Sequence, residues 1–338
     1  MAYYSPSAVA TAENVVRRSS ANYHPTLWDD RFLSSLSDYL AVNAWQKEAA
    51  SLKEQVREKL INLLETEGGH REQLKLIDAM QRLGIAYHFE GEIEQTLNQI
   101  FNSWHLQEAD DDNLLLISAL RFRLLREHGY NASSDVFNKF KASQSSFKEV
   151  EAVHDLLGLY EAAYLGVHGE DILDEALYFT KTKLQEKAPH LKPSLAKQVL
   201  NALSRPMRKA LPRVFAREFI SFYQEDEFHD EVLLKFAKLD FNILQKQHQQ
   251  ELSIITRWWK ELEVPVNFPF ARDRIVECYF WALGVYYEPQ YALARKFFTK
   301  VIAMSSILDD IFDNVCGIDA ELQIFTHAIQ RWEMKAMD

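Results

Sequence analysis

Cysteine is nearly missing from this 338-residue chain: only Cys278 and Cys316 are present, in different segments and with no metal-ligand spacing. That argues against a disulfide framework and makes a reducing compartment the easier reading. Glycine and proline are scarce as well, at ten and nine residues. Doubly wound and β-rich folds spend more of both on turns, so an all-α fold is expected. No apolar run approaches the ~20 residues that cross a bilayer; LLLISAL and YFWALGVYY are the longest kind present. The first 16 residues, MAYYSPSAVATAENVV, lack an apolar signal core, and no arginine-rich amphipathic pattern precedes Arg17. A short disordered leader on a cytoplasmic protein is the expectation. Positive charge is in deficit, with 38 Lys and Arg against 49 Asp and Glu and a net charge of -11. This balance argues against general affinity for nucleic acid or an anionic membrane, so neither is expected as a partner. Oligomeric state is not legible.

What is abundant is apolar side chain. With 47% hydrophobic and 12% aromatic residues, the chain can bury a large core, and its length allows one large domain or two ordinary ones. Apolar residues recur at three and four in LKEQVREKLINLL (52 to 64), LKLIDAMQRLGIAYHF (74 to 89) and LLLISALRFRLLREHG (114 to 129), which predicts three helices with one buried stripe each. Gly129 follows basic residues and a histidine, and Ser133 or Ser134 is placed to cap what comes next, so a helix stop and restart is expected there. No fixed-period repeat is visible. From Lys181 to Arg217 there are ten Lys or Arg and a single acid, Glu186, before the acidic EDEFHDE at 225 to 231. That shift, punctuated by Pro189, Pro193, Pro206 and Pro212, places a boundary between two helical domains near 215 to 222, with domains at 17–220 and 221–338. The basic stretch itself reads as a solvated helical face.

SSILDDIFDNV, 305 to 315, carries the first sign of chemistry. If 297 to 313 is one helix, Asp309 and Asp313 are i and i+4, with Asp310 three residues before Asp313, so the carboxylates crowd one face. They also stand toward the C-terminal end, where the macrodipole disfavours anions. Such a triplet is either a solvated acidic helix end or a ligand set for a hard cation such as Mg²⁺, which bridges a few carboxylates to substrate phosphates. In FARDRIVECYFWALGVYYEP, 270 to 289, Arg272 and Arg274 precede an aromatic helix. Their guanidinium forks either grip a diphosphate or pair with Asp273 and Glu277. Trp281, amid Tyr279, Phe280, Tyr286 and Tyr287, either fills a core or lines a pocket whose ring faces stabilise a cation. Together these elements suit ionisation of an allylic diphosphate to a carbocation.

RWWKEL (257 to 262), FARDRIVECYFWALGVYYEPQYALARK (270 to 296) and ILDDIFD (307 to 313) resemble the plant terpene synthases, the cytosolic sesquiterpene synthases above all. RRSSANYHPTLWDDRF (17 to 32), LGIAYHFEGEI (83 to 93), ALRFRLLREHGYNASSDVF (119 to 137) and LPRVFAREFI (211 to 220) extend the resemblance over the N-terminal half. It implies an all-α protein: an N-terminal α-barrel domain without catalytic groups, followed by the first part of a class I terpene cyclase α-helical fold. It further implies that Asp309, Asp310 and Asp313 bind Mg²⁺, with Mn²⁺ an alternative, that Arg272 and Arg274 take the departing diphosphate, and that Trp281 faces the cation. Farnesyl diphosphate is the implied substrate. Arg17 and Arg18 match an arginine pair that folds over the site, although nine residues separate them from Trp28 where the family pattern has eight. DDDN, 110 to 113, lacks the DxDD arrangement of class II cyclases and reads as a solvated helix start.

The family pattern also has a second metal motif, (N/D)DxxSxxxE, well downstream of the first. The given residues run only to Asp338, 25 positions past Asp313, and do not contain it. The expectation is therefore an incomplete or inactive sesquiterpene synthase; the alternative is a truncated, non-catalytic paralogue that binds or dimerises with an intact one.

Overall fold

A computed structural model describes residues 23–28, 31–33, 39–64, 70–103, 114–143, 146–313 and 319–335. The helices are α1 (Tyr39–Leu64), α2 (His70–Arg82), α3 (Glu90–Ser103), α4 (Leu115–Glu127), α5 (Val153–Ala163), α6 (Asp171–Lys187), α7 (Pro193–Ser204), α8 (Pro212–Glu225), α9 (Glu231–Glu261), α10 (Val264–Asn267), α11 (Ile275–Val285), α12 (Ala292–Asp313) and α13 (Asp319–Lys335). The strands β1 (Lys141–Ser143) and β2 (Ser146–Phe147) form a short antiparallel ladder. The fold is all-α, as the scarcity of turn residues leads one to expect.

Local chemistry accounts for several helix ends. Pro193 and Pro212 open α7 and α8 at positions whose amide would have no helical partner in any case. After α4 the chain turns at Gly129, φ 84°, and the Ser133 hydroxyl accepts the Asp135 amide at 3.2 Å to start the next turn of 3₁₀ helix. The single helix predicted over 74–89 is interrupted. α2 ends at Arg82, Gly84 adopts φ 74°, and a 3₁₀ turn follows at Ala86–His88. A β-carbon on Gly84 would stand 3.0 Å from that of Ala216 in α8, so close helix approach calls for glycine there. The apolar periodicity continues through the break, which is why the sequence pattern does not reveal it.

The described chain divides into two compact units. The first holds residues 36–248 and 287–289. Its core includes Leu60, Leu74, Ile77, Met80, Leu97, Phe122 and Phe137, all fully or almost fully buried. Ion pairs are buried beside this core. Arg82 joins Glu161 and reaches Asp78 at 2.7 Å, while Arg123 joins Asp78 and reaches Glu127 at 2.9 Å. A cavity of about 640 Å³ lies wholly within this unit and is lined by none of the predicted site residues.

Arg126 grips Glu170 through both terminal guanidinium nitrogens, and this hydrogen-bonded pairing, aided by the Val167 amide, holds the Glu170 carboxyl down at about 2. A carboxyl depressed on folding contributes stability above its unfolded value and loses it as pH falls toward its folded value. Glu170→Gln is therefore expected to melt below the native chain at neutral pH. The gap should narrow as pH drops from about 5 toward 2 in a series of thermal melts. A gap unchanged with pH would exclude this source of acid sensitivity.

The second unit holds the described parts of 1–35, 249–286 and 290–338. Its core joins Leu252, Ile255 and Trp259 of α9 to Ile275, Cys278 and Tyr279 of α11 and to Ala303 and Ile307 of α12, with Trp28 and Phe32 packed against it. Burial pushes the Cys278 thiol up to about 11, so it is an inert core residue. Cys316 lies outside the described residues.

Candidate active site

α12 carries Asp309 and Asp310 in its last turn. Its opposite end is fixed by an ion pair that the sequence reading did not predict. Arg295, wholly buried, donates from Nε and Nη2 to the two oxygens of Glu251 on α9, at 2.9 and 2.8 Å. Tyr279 of α11 donates its hydroxyl to the same carboxylate at 3.0 Å. Three helices are thus tied through one buried glutamate, about 14 residues, or roughly 21 Å of helix, before the aspartates.

Asp310 is completely buried, whereas the side chain of Asp309 is 55% exposed. Both meet Arg272, from the turn that precedes α11. The Arg272 amide donates to Asp310 Oδ2 at 2.8 Å, and its Nη2 donates to Asp309 Oδ2 at 2.8 Å. The same Nη2 lies 2.6 Å from Asp310 Oδ1, close enough for an ion pair but off hydrogen-bond alignment. The guanidinium carbon sits 5.2 Å from the centre of the Tyr23 ring, a cation–π distance. The adjacent Asp310 carboxylate raises the Arg272 guanidinium further above its ordinary value, against the cost of partial burial. The sequence offered Asp273 or Glu277 as structural partners for the arginines; the partners found for Arg272 are Asp309 and Asp310.

Arg274 is exposed at the start of α11 and forms no ion pair among the described residues. Asp273 beside it is pushed up by burial, with the Glu277 charge adding to the effect and the Ile275 amide opposing it. Trp281 is 51% exposed and Phe280 46%, so neither is a core residue. α12 likewise leaves Leu293, Phe297, Val301, Met304 and Leu308 exposed along one face. The Asp313 side chain, Arg17 and Arg18 lie outside the described residues. Sequence reasoning missed Tyr23, Glu251 and Arg295. The last two carried one usable signal, a charge interrupting the apolar stripe of an otherwise buried helix face.

Among the described residues no three His, Cys, Asp or Glu side chains gather to hold a metal ion. Two adjacent carboxylates at a helix C-terminus nonetheless fit a hard dication that takes its other ligands from water and phosphate. One cation, the Arg272 guanidinium, already offsets part of their charge. An α-helical bundle presenting paired aspartates, a neighbouring arginine and exposed aromatics is the architecture of a class I terpene cyclase. "Terpene synthase, N-terminal domain" matches residues 27–203, and "Terpene synthase family, metal binding domain" matches residues 260–338. The chain belongs to the terpene synthase family.

Its sequence is 51% identical to sesquiterpene synthase 2 of Toona sinensis over 97% of this chain and 58% of that protein. Identity to a (-)-germacrene D synthase of Vitis vinifera is also 51%, over 96% of this chain and 57% of the relative. A limonene synthase structure with 2-fluorolinalyl diphosphate superposes with a TM-score of 0.84 at 36% identity, covering 94% of this chain and 59% of that one. Isoprene synthase from Populus x canescens, in complex with three Mg²⁺ ions and dimethylallyl-S-thiolodiphosphate, gives 0.78 at 35% identity, covering 91% and 57%. The chain spans a little under three fifths of the length of these relatives. No helix among the described residues is long and apolar enough to cross a membrane.

Proposed function

We propose that this chain carries the first part of a Mg²⁺-dependent sesquiterpene synthase, a carbon–oxygen lyase that ionises farnesyl diphosphate and guides cyclisation of the cation. The observation that carries the reading is the meeting of Arg272 with Asp309 and Asp310 inside a metal-binding family domain. Asp309 and Asp310, with Asp313, would hold the metal, which supplies Lewis-acid stabilisation of the leaving diphosphate when bound. Arg272 and Arg274 add positive charge where the diphosphate oxygens gain negative charge. Trp281, exposed on α11, presents a ring face to a developing carbocation. Arg17 and Arg18, close in sequence to the segment whose Tyr23 stacks on Arg272, would help exclude water that quenches the cation as an alcohol. Residues 221–338 form the metal-binding part of this reading and 17–220 the N-terminal α-barrel.

The test is incubation of the purified 338-residue chain with farnesyl diphosphate and Mg²⁺, with extracts separated by gas chromatography and identified by mass spectrometry. A sesquiterpene that vanishes in Asp309→Ala supports the reading; product unaffected by that change refutes it. A second reading, a non-catalytic partner of an intact synthase, draws support from the exposed apolar row Leu293, Phe297, Val301, Met304 and Leu308 on α12. Stoichiometric co-elution with an intact synthase, without product from this chain alone, would favour it.

A further inference from the structure

We propose that Arg272 is a transferable cation: it occupies the Asp309 and Asp310 pair until a metal ion takes its place, and a diphosphate receives it as it leaves. The inference rests on the metal-dependent reading above.

The two oxygens of Asp310 are held differently. Oδ2 accepts the Arg272 main-chain amide, a bond that needs no particular position of the side chain. Oδ1 has only the guanidinium, 2.6 Å away and out of hydrogen-bond alignment, while the buried Arg272 Nε has no partner. The amide therefore positions the carboxylate, and Oδ1 is the atom free to change partners. Asp310 is fully buried with Arg272 in place, so a metal reaches Oδ1 only after the guanidinium moves. Asp309, half exposed, is bonded to the same Nη2. One nitrogen serves both carboxylates, and its departure frees both at once.

A fork shared between two carboxylates and an aromatic face is a strong anion receptor when released. Metal alone must displace an internal cation and leave it unpaired. Metal together with a diphosphate gives the displaced guanidinium a new anionic partner. Each ligand thus favours the other, which is a coupling between two sites carried by one side chain.

The experiment is a Mn²⁺ titration of the full 338-residue chain followed by electron paramagnetic resonance of free Mn²⁺, with and without inorganic pyrophosphate. The native chain is expected to bind Mn²⁺ weakly alone and at least about fivefold more tightly with pyrophosphate. Arg272→Gln should bind Mn²⁺ alone at least about fivefold more tightly than the native chain and lose most of the pyrophosphate enhancement. Arg272→Lys, which keeps the charge without the fork, should fall between them and serves if the glutamine variant does not fold. Mn²⁺ affinity of the folded variants equal to or below that of the native chain overturns the transfer while leaving the metal site intact. No Mn²⁺ binding by the native chain under either condition, or binding unchanged in Asp309→Asn, overturns the metal reading and the transfer with it.

Discussion

Arg295→Leu is expected to destabilise the unit that holds residues 249–286 and 290–338 by about 3–5 kcal/mol, because it removes the guanidinium paired with the buried Glu251 carboxylate. The side chain is fully buried and bonds both oxygens of Glu251. The Tyr279 hydroxyl, which donates to the same carboxylate, carries no charge to replace it. Urea unfolding followed by tryptophan fluorescence reads the effect, since Trp259 lies in the same core. The double variant Glu251→Leu with Arg295→Leu should recover much of the loss. A buried ion pair is costly to break and much less costly to replace whole with apolar residues. If the double variant were as unstable as the single one, the pair would be contributing through shape rather than charge.

The second large effect separates the two adjacent aspartates. Under the proposed chemistry, Asp309→Ala and Asp310→Ala should each lower product formation by about 10²–10³-fold, the range seen when a preorganised charge-stabilising group is lost. Only Asp310→Ala should also lower thermal stability. Its carboxylate is wholly buried and accepts the Arg272 amide, so truncation strands a main-chain donor and removes one anchor of the turn before α11. Asp309 is half exposed, and its bond to the guanidinium is screened by solvent. Paired melting curves and product assays decide this; equal melting temperatures would mean that the Arg272 turn is held by its other contacts.

Fold class was legible in the sequence because helical periodicity is local. The stop at Gly129 and the restart at Ser133 were legible for the same reason, since each depends on residues within a few positions. The break at Gly84 was not: its cause is the approach of Ala216, more than a hundred residues away, and the local apolar pattern runs through it unaltered. The candidate site divides in the same way. Crowding of Asp309 with its neighbours on one helix face follows from i to i+4 geometry. The partner of Arg272 lies 37 and 38 residues onward, and sequence proximity pointed instead to Asp273 and Glu277.

By itself the sequence determined that the chain is helical, that it is acidic and built around a large apolar core, and that carboxylates gather at the end of one helix with arginines before another. Those properties depend on composition and on spacing within a few turns. Tertiary structure alone decided that Asp310 is buried while Asp309 is exposed, that one arginine serves both, and that a buried Glu251 and Arg295 hold the helix that presents them. Burial and ion-pair choice depend on which distant segments displace water from a group, and no local pattern contains that information.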